Sequence, residues 1–205
     1  FYTLAQEKVD KPRIERRDTS CLQCHDTGPT LGVPGYLVRS VYPDTSGMPI
    51  FEAGDYYTDH RSPLAERWGG WYVTGKHGSV NHMGNALVRD KDHPQKLDNN
   101  AAQNLTELNG KFNTQPYLTP HSDIVALMTL EHQTRMTNLM TRVSYETRMA
   151  VLSQQRFNEA YHQPAGEMSE STRHRIDSAV EELVQYMLFS NEAKLDAPVQ
   201  GTSGF

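Results

Sequence analysis

Residues 21–25 read CLQCH, and they hold the only two cysteines in a chain of 205 residues. Two thiols three positions apart, with an imidazole directly behind, admit few chemistries. A disulfide has no use for the adjacent histidine, and a structural zinc site takes four ligands rather than three. A haem takes this set as it stands. The thiols reach the two vinyl groups on one edge of the porphyrin, and the next residue then lies under the ring with a nitrogen toward iron. Cys21 and Cys24 are therefore read as thioether anchors of one covalent haem c, and His25 as its proximal ligand.

Two other readings stay open at this stage. A thiol redox motif of the C-x-x-C type expects a βαβ setting, and RRDTSCLQCHD offers no buried strand before the cysteines. Zinc could recruit His77 and His82, an H-x4-H pair, but 53 positions separate Cys24 from His77. Finger modules separate their ligand pairs by about a dozen residues.

Outward from the motif, residues 1–20 suggest a short helix interrupted at Pro12, then a charged lead-in. Residues 26–67 are dense in turn signals (DTG, VPG, YPDTSG), with strand or short-helix character only in GYLVRSVY at 35–42. So long an irregular stretch is uncommon in a compact domain unless it wraps something. RWGGWYVTGKHGSVNHMGN, residues 67–85, carries both tryptophans. A polar connection follows, with a short helix expected around AAQNLTEL. The last third changes period. From a cap at Ser122 or Asp123, an apolar stripe of Ile124, Leu127, Met128, Met136, Leu139, Met140 and Val143 predicts a helix reaching about Phe157. A second, from about Ser169 to Asn191, carries Ile176, Ala179, Val180, Leu183, Val184, Met187 and Leu188. The expected segments are a haem-binding lobe at 1–95, a connection at 96–122, an antiparallel helical pair at 123–192 and a tail at 193–205.

The second face of the iron decides between electron transfer and catalysis. Met83 is the first candidate, because it sits in a loop beside the small Gly84 rather than on a helix stripe. His82, His132 and His77 are the alternatives. His132 falls on the apolar stripe, where a satisfied core histidine is the commoner outcome, whereas His60 reads as solvated. Pro29 or Pro34 could offer a carbonyl to the proximal imidazole. Arg39, Arg61, Arg67 and the indole N–H groups of Trp68 and Trp71 are candidate partners for haem propionates.

Net charge is −5, which disfavours a duplex nucleic-acid partner. Mean hydropathy is −0.67, and no apolar run approaches the ~18 residues of a membrane span. The opening at Phe1 without a methionine, and the abrupt ending VQGTSGF, are those expected of a processed product or a piece of a longer protein.

Taken together, C-x-x-C-H at 21–25, the Thr27-Gly28-Pro29-x-Leu31 run and Met83 on a later loop resemble the monohaem c-type cytochromes with histidine–methionine ligation. The resemblance covers residues 1–88. It implies that Pro29 supplies the acceptor for the proximal histidine, that Met83 is the second axial ligand, and that the helical pair replaces the family's closing helix. The RWGGWYVTG…HMGN block is also similar to uncharacterised secreted bacterial proteins with cytochrome domains. The fold expected is mainly α, a loop-rich cytochrome c-like haem lobe followed by the helical pair. The function implied is electron transfer in the periplasm or outside the cell, to redox protein partners or within a larger respiratory assembly. The alternative is a peroxidase-like haem enzyme with an open or weakly ligated distal face, in which His82, His77 or His132 act as acid–base groups.

Overall fold

A computed structural model describes residues 1–17, 19–97 and 99–204; the final residue of the expected tail, Phe205, lies outside them. Three α-helices and four short strands form, with 37% of the chain helical and 9% in strands or bridges. "Mainly α" therefore holds only loosely, since most residues lie in turns and irregular segments.

The chain groups into two compact units, and each draws on distant parts of the sequence. One holds Phe1–Tyr36 with Arg135–Leu188; the other holds Leu37–Thr134 with Phe189 onward. The segments expected in sequence order are thus distributed over both units, and the dividing line passes through the long helix α2.

In the first unit, the lead-in is a hairpin rather than a helix. Strand β1 (Tyr2–Leu4) pairs antiparallel with β2 (Ile14–Arg16), Thr3 opposite Glu15. Pro12 lies in the connection, where its missing N–H breaks no ladder. The seven-residue helix α1 (Thr19–His25) is the motif itself and buries none of its side chains. A 3-10 turn at Gly28–Thr30 follows and ends on Leu31 in the left-handed region.

The helical pair forms as the periodicity predicts, with shifted ends. Helix α2 runs Ile124–Ala160, 37 residues, and α3 runs Glu170–Met187 with Ser169 accepting from the Thr172 N–H as its N-cap. Arg142 bonds Glu182 at 2.8 Å and Arg175 bonds Glu146 at 2.6 Å, so the helices pair antiparallel. Ala150 and Ala179 are buried, small residues that let helix axes approach. The stripes are less completely covered than expected: Met140, Val180, Val184, Met187 and Leu188 are exposed.

The second unit centres on Leu64, Trp68, Val73 and Ile124, with a smaller cluster of Tyr42, Met83 and Val88. Strands β3 (Arg39–Val41) and β4 (Asp55–Tyr57) pair antiparallel. The WGGW turn exists because β3 passes close to it. A Cβ on Gly69 would collide with the Val41 carbonyl, and the Gly69 N–H donates to Ser40 Oγ at 2.7 Å. Around AAQNLTEL only a 3-10 turn forms, at Asn100–Ala102.

Asp123 does more than cap α2. One carboxylate oxygen accepts from the N–H groups of Val125 and Ala126. The other accepts from the N–H groups of Thr202 and Ser203 and from Ser203 Oγ. Burial pushes this carboxyl up, but the donors outweigh it and hold it below the usual aspartate range. The tail that reads as featureless in sequence is held by this side chain together with the paired backbones of Gln200 and Lys76 and the contact of Thr202 with Thr74.

Candidate functional site

The donor atoms of CLQCH sit on a single helix. Cys21, Cys24 and His25 occupy positions i, i+3 and i+4 of α1, which share a helical face. Both thiols are free, and Cys24 is exposed. His25 Nδ1 lies 2.8 Å from the Gly35 carbonyl. A carbonyl can only accept, so Nδ1 carries a proton, and in the neutral ring the lone pair is then on Nε2. The Gly35 N–H in turn donates to the His25 carbonyl at 2.8 Å. The acceptor is thus Gly35 and not Pro29 or Pro34. Pro29 is taken up in the 3-10 turn, and the chain needs several further residues to return to the imidazole. The Phe1 ring packs on His25 with centroids 4.7 Å apart.

This donor set fits a thioether-linked haem at its attachment side: two accessible thiols and an imidazole in the metal-binding tautomer. The residues expected on the distal side belong to the second unit, where the Met83 sulfur, His82 Nδ1 and both His77 ring nitrogens are engaged. Met83 is 6% exposed, and its sulfur accepts from Ser40 Oγ at 3.6 Å. His82 is buried, and its Nδ1 accepts from the Gly84 N–H at 3.0 Å. His77 uses both ring nitrogens, donating through Nδ1 to the Val80 carbonyl and accepting at Nε2 from the Asn104 N–H. The two rings are 4.8 Å apart. Burial, with His77 as a lesser cause, pushes His82 down to about 3, so it stays neutral at ordinary pH. Among the described residues, no group of three or more His, Cys, Asp or Glu is gathered for a metal ion.

Except for Trp68, the candidate propionate partners have other work. Trp71 Nε1 donates to the Arg39 carbonyl at 2.9 Å. Trp68 is fully buried with its ring edge-on to His82, and its indole N–H has no acceptor. Arg67, 1% exposed, donates to Glu131 at 3.0 Å and to the carbonyls of His60 and Ser62. Glu131 also accepts from Thr58 Oγ1 at 2.7 Å. Burial pushes its carboxyl up to about 7 against the pull of Arg67 and Thr58. One turn-face away, His132 Nδ1 lies 2.9 Å from His60 Nδ1, and its ring stacks on Phe189 at 4.1 Å. His60 is buried rather than solvated. Burial lowers the basicity of both rings, and one must be neutral at Nδ1 to accept from the other.

Sequence reasoning missed Glu131 and Asn138. Both are 1% exposed, and they stand 7 and 14 positions after Ile124 on α2. The signal was present: polar residues in the register of an apolar stripe are buried, and buried polar groups require partners.

No known protein family, curated protein or solved structure matches the chain. No helix among the described residues is long and apolar enough to cross a membrane.

Proposed function

We propose that this chain is a haem c protein that passes single electrons to or from a redox protein partner, alone or within a larger respiratory assembly. In this reading it works in the periplasm or outside the cell, as expected of a chain whose CLQCH motif holds a covalent haem c. Cys21 and Cys24 would hold the haem through two thioether bonds, each formed by adding an S–H group across a vinyl group with nothing released. His25 would supply Nε2 as a ligand. Once bound, the haem supplies one-electron exchange, at a potential set by its ligands and surroundings.

The observation that carries this reading is the His25–Gly35 bond beside two free thiols on one face of α1. A metal-bound histidine characteristically donates its other N–H to a carbonyl or carboxylate. Neither a disulfide nor a thiol redox pair calls for an imidazole held in that tautomer. Met83 is the distal ligand expected on this reading, a role for which its sulfur would have to leave Ser40 Oγ. A second reading, the peroxidase-like haem enzyme with an open distal face, draws on the engagement of Met83, His82 and His77 described above.

The test has two stages. After expression with a haem-attachment system and denaturation in acid, haem should remain on the polypeptide, and no thiol should titrate. Free haem, or stoichiometric zinc in its place, refutes the proposal. In the oxidised protein, a sulfur-to-iron charge-transfer band that Met83→Ala abolishes supports electron transfer through a closed iron. High-spin iron without that band, binding peroxide or carbon monoxide, supports the enzyme.

A further inference from the structure

Asn138 is buried in the first unit, and both ends of its amide are spent on one residue. Tyr36 N–H donates to Asn138 Oδ1 at 2.9 Å, and Asn138 Nδ2 donates to the Tyr36 carbonyl at 2.6 Å. The side chain thereby treats Tyr36 as a neighbouring strand would, across 102 positions of sequence. The residue before Tyr36 is Gly35, whose carbonyl accepts from His25 Nδ1. Gly35 has no room for a side chain, because a Cβ there would collide with Asn138 Oδ1. The contacts form one chain: imidazole, Gly35 carbonyl, the Gly35–Tyr36 peptide, Asn138.

The geometry points to Asn138 as the positioning residue of His25. It fixes the Gly35–Tyr36 peptide so that the Gly35 carbonyl keeps the imidazole in its Nδ1–H tautomer, with Nε2 directed as a ligand. The segment from Thr27 to Tyr36 needs such an anchor. It contains a 3-10 turn and two consecutive left-handed residues, Leu31 and Gly32, and Asn138 grips its far end from the long helix. Only an amide of this length answers both Tyr36 groups. Aspartate keeps the acceptor but sets an oxygen against the Tyr36 carbonyl, leucine offers neither partner, and glutamine is one methylene too long. The inference deepens the haem reading and rests on it for its functional meaning.

The test compares Asn138→Leu and Asn138→Asp with Leu139→Ala, which removes buried packing from the next position of the same helix. The ring-nitrogen chemical shifts of His25, read by NMR on the full chain before haem attachment, should show Nδ1–H in the unaltered protein. In both Asn138 variants they should move toward the Nε2–H tautomer that a solvated imidazole prefers. After haem attachment, the reduction potential should rise in both, because losing the Nδ1–H bond makes the ligand less basic. Leu139→Ala should lower the melting temperature while leaving tautomer and potential unchanged. Unchanged tautomer and potential in a folded Asn138 variant, or equal shifts in Leu139→Ala, overturns the assignment. Asn138→Asp, the smaller change, keeps the test open if Asn138→Leu does not fold. A chain that takes no haem refutes the functional proposal alone, since the tautomer measurement still decides the role of Asn138.

Discussion

Replacing Glu131 with glutamine should change how stability depends on pH, and the structure sets the size of the change. Glu131 is buried against Arg67 and Thr58, and burial raises its carboxyl from 4.5 to about 7. Over that interval the folded chain holds a proton that the unfolded chain has released. The stabilisation is complete below 4.5 and is lost as pH rises through about 7. At about 1.4 kcal/mol per pH unit, the interval comes to about 3 kcal/mol. Glu131→Gln cannot titrate there. It leaves one donor, from Arg67 or Thr58, poorly matched at every pH, which is a constant offset. The diagnostic quantity is therefore the stability difference between variant and unaltered protein, followed from pH 4.5 to pH 8. It should shift in the variant's favour by about 3 kcal/mol. The buried histidines, whose basicity is lowered, drive the opposite trend, but both proteins share them and they cancel. Denaturant unfolding read by tryptophan fluorescence is the assay, because Trp68 and Trp71 lie in the same unit as Glu131. A difference that stays constant to within about 1 kcal/mol across that range would show that Arg67 keeps Glu131 ionised throughout, and the argument from burial would fail.

Asp123→Ala should remove the N-cap of α2, at a cost of about 1–2 kcal/mol. It should also loosen Thr202 and Ser203, while Gln200 keeps its backbone pairing with Lys76; amide hydrogen exchange would detect this as faster exchange at Thr202 and Ser203, and unchanged exchange there refutes the role assigned to the second carboxylate oxygen. His82→Asn should flatten acid denaturation, since Asn can still accept from the Gly84 N–H. The folded chain keeps His82 neutral down to about 3, so its contribution is lost as pH falls from 6.5 toward that value. A pH–stability curve between 3 and 6.5 that is unchanged by the substitution would count against that burial.

Some features were legible without any coordinates because they depend on local order. CLQCH places two thiols and an imidazole on one face of any helical turn, whatever surrounds it. The two long helices follow from apolar spacing, and Ser169 and Asp123 mark their starts through short side chains that meet nearby N–H groups. What the linear order could not yield is every pairing of distant residues. Gly35 rather than a proline faces His25 because the turn after α1 must close before the chain can return. Glu131 and Asn138 look like interruptions of a stripe until Arg67 and Thr58, 64 and 73 positions away, and Tyr36, 102 positions away, meet them. The division into interleaved units has the same origin, since α2 gives its residues up to Thr134 to one unit and those from Arg135 to the other. Backbone periodicity and side-chain chemistry are written residue by residue, whereas the partner of a buried polar group is chosen by which distant segments the folded chain brings within about 3 Å of it.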